Sequence, residues 1–147
     1  MKIANSFIRT VVAICALTLA SVAAHAATVH LKADLKASAE VPPKDSAGTG
    51  TLTATLNTKT KELTYHIEFS GLTGPVSAAH FHGPAAEGAN AGPQVPIKAT
   101  PITRPIDGKA TLTAEQAKDL LDGKWYFNLH TAANPGGEIR GQIMKSE

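Results

Sequence analysis

Cysteine is nearly absent from this chain. The single one, Cys15, sits in an N-terminal stretch that reads as a cleavable leader. The remainder of the chain therefore has no thiol for a disulfide, a nucleophile or a sulfur-ligated metal. Ile14 is also too bulky to precede a lipid-modified cysteine. Aromatic residues are scarce, at 5%, which leaves the core to Leu, Ile, Val and Ala. An excess of one charge is missing as well. Lys plus Arg falls from 14 to 12 once Lys2 and Arg9 leave with the leader, and Asp plus Glu stays at 12. That balance excludes the basic surface that nucleic acid or an anionic membrane would need. There is no Ser-His-Asp order, no glycine loop for phosphate, no pair of carboxylates set for acid–base work, no internal repeat and no low-complexity tract.

The first 26 residues differ from the rest. Lys2 and Arg9 give a positive start, Val11 to Ala20 is apolar apart from Thr18, and Ala24-His25-Ala26 offers small residues where a signal peptidase reads. This is the order of a secretory signal. The apolar run is shorter than the roughly 20 residues of a spanning helix, and as a core helix it would have no polar face. The expectation is a signal peptide over 1–26 and a domain over 27–147, periplasmic or secreted, with no membrane attachment after cleavage.

From residue 28 the pattern alternates. Val29, Leu31, Ala33, Leu35 and Ala37 face one way, and His30, Lys32, Asp34 and Lys36 the other, as in a half-buried strand. Strands are also expected over 49–57, 62–69 and 76–82, with a glycine- and proline-rich loop over 83–94. Residues 97–106 form a proline-broken edge segment, and 108–112 are a further short strand. Thr113 and Gln116 make a capping box that opens one helix of about nine residues, stopped at Gly123. Trp125, Phe127 and Leu129 then alternate with Tyr126, Asn128 and His130, and Ile139, Gly141 and Ile143 mark a last strand. Many short strands with turn signals between them predict an all-β sandwich with one short helix.

Five histidines lie beyond the leader: His30, His66, His80, His82 and His130. His80 and His82, at i and i+2 on a strand, share a face. Imidazoles about 6–7 Å apart on a rigid strand can converge on one metal ion, and they can equally be two solvated side chains. His130, which also ends a strand ahead of a glycine-rich loop, is the candidate third ligand. His66 is a candidate further ligand if its face lies beneath the His80 strand, and otherwise a solvated cross-strand residue. Asn128, two residues before His130, is a candidate to hydrogen-bond a ligand histidine, or a plain sheet-surface residue. His30 would join an amino-terminal copper motif only as the third residue of the cleaved chain, and cleavage after Ala26 makes it the fourth. Glu40, Glu138 and Arg140 are candidates for an ion pair near the loops.

The stretches Ala39-Glu40-Val41-Pro42-Pro43, Gly71 to Ala85 (GLTGPVSAAHFHGPA) and Asn128 to Ile143 (NLHTAANPGGEIRGQI) resemble the chordin-type (CHRD) domain. The resemblance implies a secreted β domain, found singly in bacteria and repeated in the animal protein chordin, and it implies no established activity. More distantly, Gly71-Leu72-Thr73, six residues on from which stand His80-Phe81-His82, resembles copper–zinc superoxide dismutase. That likeness implies a Greek-key sandwich, copper ligation by His80 and His82, and a third copper ligand at His130. The departures are plain. Gln94 stands where the dismutases keep a metal-bridging histidine, the 83–94 loop has neither histidine nor aspartate for a zinc subsite, and Glu138 lies near the place of an arginine that guides superoxide.

These readings lead to a periplasmic metal-binding domain, with copper preferred and no zinc subsite, that holds or buffers the ion. The departures weigh against turnover. A copper-only dismutase-like enzyme and a non-catalytic interaction or adhesion domain are the alternatives.

Overall fold

The structure, a computed structural model, describes residues 27–146; the leader expected over 1–26 lies outside them. Among the described residues, no helix is long and apolar enough to cross a membrane. The strands are β1 (Thr28–Lys36), β2 (Thr49–Asn57), β3 (Glu62–Ser70), β4 (Val76–His82), β5 (Pro93–Pro96), β6 (Ile106–Thr111), β7 (Tyr126–Thr131), β8 (Ile139–Gln142) and β9 (Met144–Lys145), with a 3₁₀ turn at Ala37–Ala39 and, among the described residues, one α-helix, α1 (Ala114–Leu121). The alternation in the sequence sets these elements. Leu31, Ala33 and Leu35 on β1, Leu52, Ala54 and Leu56 on β2, and Leu63, Tyr65 and Ile67 on β3 all point to the core, and their threonine and charged neighbours face out. Helix α1 starts on the reciprocal bonds between Thr113 and Gln116 and buries Ala117 and Leu120.

The strands form one antiparallel sheet in the order β5-β4-β7-β8-β1-β2-β3-β6, with β9 also paired to β1. The two layers expected of a sandwich are thus halves of a single curled sheet, nearly closed on itself. Their junction is narrow: β8 meets β1 at the Lys36–Arg140 pair. The curl is visible in the core, because Tyr65 on β3 and Phe81 on β4 stand far apart in the strand order yet their rings are 5.1 Å apart. Phe81 also packs edge-on to Phe127 at 4.8 Å, so the few aromatics are concentrated where the halves meet. The proline-broken segment after β5 runs beside β4, through the Ile97 N–H to Ala79 O bond and an isolated Val76–Ile102 bridge, before joining β6 on the far edge.

One polar face of the sheet is unusual. On β4, β7 and β8 the residues pointing away from the core would ordinarily meet solvent, yet His82, Tyr126, Asn128, His130 and Arg140 are all buried. The 83–92 loop, here called the strap, lies over much of this face. Its base is pinned by Ala85 N–H to Lys124 O and by Gln142 Nε2 to Ala85 O.

Because this core is apolar and continuous across both halves, burial supplies most of the stability. We expect chelation to leave the β-type circular dichroism and cooperative unfolding intact. Leu52→Ala, at a fully buried position, should cost about 2–5 kcal/mol in urea denaturation.

Candidate metal centre

His80 and His82 lie on β4 and His130 on the neighbouring β7, and one ring nitrogen from each comes within 4.8 Å of the others. Pairing in the ladder explains the convergence: His80 is opposite Asn128, and His130 is opposite Ala78. The rings of His80 and His130 are 4.9 Å apart at 73°, and those of His80 and His82 are 5.3 Å apart at 84°.

Backbone carbonyls fix which nitrogens face the centre. His82 Nδ1 lies 2.9 Å from Ala91 O, and His130 Nδ1 lies 2.9 Å from Pro135 O. A carbonyl only accepts, so both Nδ1 atoms carry the hydrogen and both Nε2 atoms present a bare lone pair. His130 Nε2 meets His80 Nδ1 at 3.1 Å, and there His80 must donate. His82 Nε2 is buried with no hydrogen-bond partner, which is costly for a ring nitrogen unless something else occupies its lone pair. Two imidazole nitrogens held about 2.0–2.1 Å from one ion stand about as far apart as this His80–His130 contact. An ion would take that hydrogen's place, with His80 carrying its proton on Nε2 instead. The three residues could therefore hold a metal ion, with Nδ1 of His80 and Nε2 of His82 and His130 as the nitrogens left free to do so.

The electrostatics favour neutral rings. Burial lowers the His80 pKa below the ordinary histidine value, helped by the nearby His130 and His82. Burial also lowers that of His82; the Ala91 carbonyl and Asn128 oppose the shift, and the charges of His130 and Arg140 add to it. His82 stacks on Tyr126 with ring centroids 4.8 Å apart and planes parallel to within 1°, and the Arg140 guanidinium lies 3.4 Å from the centre of the same tyrosine ring. The Tyr126 hydroxyl bonds the Ala91 backbone, so ring and strap hold His82 together. Neither backbone carbonyl has a signature in the sequence. Tyr126 was legible as a sheet-face residue by its parity with Asn128 and His130, but not as a support for His82.

The remaining candidates take other places. His66 is not brought to the three. It projects from β3, 48% exposed, with its Nδ1 2.6 Å from Asp107 Oδ1 and its Nε2 3.7 Å from Glu68. This is the solvated cross-strand arrangement, produced because β3 belongs to the opposite half of the sheet. His30 is exposed on β1, opposite Thr55. Asn128 is buried beside the centre, and its Nδ2 donates to Glu40 Oε1 at 3.4 Å. Gln94 bonds Gly83 O and accepts from Gln116, tying β5 to the strap and to α1.

The expected ion pair among Glu40, Glu138 and Arg140 does not form. Arg140, 2% exposed, donates to Asn90 Oδ1 and to Ala89 O on the strap. Glu40 is buried next to Asn128, and burial raises its pKa. Glu138, fully buried, accepts from Ser46 Oγ (2.6 Å), Thr73 N–H (2.8 Å), Thr73 Oγ1 (2.7 Å) and Thr131 Oγ1 (2.6 Å). Burial pushes this carboxyl up, but the four donors outweigh it and hold the pKa down at about 2.

That value sets an acid limit on stability. The folded pKa of Glu138 lies below the ordinary 4.5, so its contribution is complete above pH 4.5 and is lost as the pH falls towards 2. A shift of this size corresponds to about 3 kcal/mol at neutral pH. We expect Glu138→Gln to be less stable at pH 7 and to lose less on acidification over that window, as measured by urea denaturation at a series of pH values.

A search of the curated proteins and a search of the solved structures each found no match to this chain. A family model does match, over residues 31–143. The match takes in β4, β7 and β8, the strap and all three clustered histidines, and the chain belongs to the CHRD domain family.

Proposed function

We propose that this domain binds one copper ion through His80, His82 and His130, and that it holds or buffers the ion in the periplasm or an equivalent extracytoplasmic space. The observation that carries the reading is the buried, unpartnered His82 Nε2 in the same three-histidine cluster as a His130 Nε2 bared by the bond of its Nδ1 to Pro135 O. Three imidazoles suit zinc, nickel and copper, and the affinity order peaks at copper. A neutral donor set accommodates Cu(I) as well as Cu(II). The distant likeness of the His80-Phe81-His82 stretch to the copper dismutases supports the same choice. The leader-like first 26 residues support the extracytoplasmic setting.

Calorimetry of the metal-free protein with Cu(II), and with Cu(I) under a reductant, tests this. One equivalent should bind. His80→Ala, His82→Ala and His130→Ala should each weaken binding by more than the about 10–100-fold that accompanies loss of a residue which merely orients a ligand. His66→Ala and His30→Ala should bind like the parent. Affinity should fall on acidification as the imidazoles gain protons, and the burial of His80 and His82 should carry binding below the ordinary histidine pH. Parent-like affinity in both the His80→Ala and His130→Ala proteins would overturn the reading.

A further inference from the structure

We infer that Glu138 is a positioning residue for His130: its buried carboxylate locks the 131–138 turn, which in turn fixes the imidazole. The inference rests on the three-histidine reading for its consequence and on geometry alone for its premise.

A buried carboxylate with no cation against it calls for an explanation. Glu138 has four donors and no basic partner within salt-bridge distance among the described residues. Those donors come from three places: Ser46 ahead of β2, Thr73 ahead of β4, and Thr131 at the end of β7. The carboxylate thus ties both halves of the sheet to the residue next to His130.

The link to His130 is short. Thr131 Oγ1 donates to Glu138 Oε2 at 2.6 Å and accepts from the Asn134 N–H at 3.3 Å. Thr131 and Asn134 also exchange backbone bonds, Gly137 N–H bonds Asn134 O, and Glu138 N–H bonds Leu129 O. These bonds close a tight turn that carries Pro135 O, the acceptor for His130 Nδ1. Gly137, at φ +124°, completes the turn where a side chain would strike the Glu40 carboxylate. The orienting carbonyl is therefore placed by a turn whose two ends are clamped by one carboxylate. His82 is oriented from a different loop, through Ala91 O, and serves as an internal control.

Substitution acts on this link in a defined way. In Glu138→Gln the shape is kept, but the charge is lost and one oxygen becomes an NH₂, which Thr73 Oγ1 and Thr131 Oγ1 can meet only by turning from donors into acceptors. The charge-assisted bond that clamps the turn at its Thr131 end is replaced by a weaker neutral one, and the acceptor for the Nδ1–H of His130 is held less firmly. Thr131→Val cuts the same link from the other side and leaves the carboxylate in place with its bonds to Ser46 and Thr73.

The test reads imidazole tautomers by ¹⁵N-edited NMR of the metal-free full chain, beside copper calorimetry. In the parent, His82 and His130 should each show a protected Nδ1–H. In Glu138→Gln, and in Thr131→Val, the His130 Nδ1–H should exchange rapidly or give way to mixed tautomers, while His82 stays as in the parent. Copper affinity should fall by about 10–100-fold. The inference is overturned if both variants unfold more easily but keep the parent His130 signal, for then the carboxylate serves stability alone. If Glu138→Gln does not fold, Thr131→Val decides by the same signal. A parent that binds no copper would sink the proposed function, and the metal-free tautomer measurement would still judge this inference.

Discussion

Polar side chains on the outer face of a sheet normally find their partners in water. On the β4–β7–β8 face they are roofed over, and every donor and acceptor there must be satisfied from within the protein. Most are. Arg140 reaches Ala89 and Asn90 on the strap, the Tyr126 hydroxyl takes Ala91, and the Gln142 NH₂ group takes Ala85 and Gly123. The bonds that satisfy this face also bring the strap down upon it, and the strap supplies the carbonyl that sets His82. Among the described residues, three of the four buried side-chain atoms without a partner lie on this face, His82 Nε2, Asn128 Oδ1 and Gln142 Oε1; the fourth, Trp125 Nε1, belongs to the core side. The two amide oxygens belong to groups whose NH₂ ends are bonded. The bare imidazole nitrogen is the one on this face that could take an ion, and its ring sits in a cluster with two more histidines.

The two charged residues of the Glu138-Ile139-Arg140 stretch divide the supporting work. Arg140 acts on the His82 side, through the strap and through the ring of Tyr126. Glu138 acts on the His130 side, through Thr131. Opposite charges two residues apart invite an ion pair, but each is better served elsewhere: a guanidinium by planar stacking and carbonyls, and a carboxylate by hydroxyls and an amide that need not lose a charge of their own. Holding ligands by fixed second partners lowers the ordering that metal binding would otherwise require.

Much of this was legible in the sequence, because strand alternation is a strong signal. The bounds of β2 and β4 match the alternating runs, and the Thr113–Gln116 capping box starts the helix where the pattern places it. The shared face of His80 and His82 comes from the same period of two, as does the parity of Asn128 with His130. What alternation cannot carry is which strands lie side by side. The separation of His66 from the other histidines depends on β3 and β4 falling in different halves of the curled sheet, a long-range fact with no local mark. Backbone carbonyls are invisible to residue identity, so Ala91 and Pro135 could not be singled out. The expectation that His130 joins His80 and His82 came from the distant dismutase likeness; composition and spacing alone left it open.

The central claim is that three specific ring nitrogens face one ion: Nδ1 of His80 and Nε2 of His82 and His130. Cu(I) is diamagnetic, so ¹⁵N-edited NMR of the Cu(I)-loaded protein reports the coordinated atoms directly. The account predicts large shifts at those three nitrogens, with the Nδ1–H groups of His82 and His130 retained against Ala91 O and Pro135 O. Coordination through Nδ1 of His82 or His130, or shifts confined to His30 and His66, would contradict it.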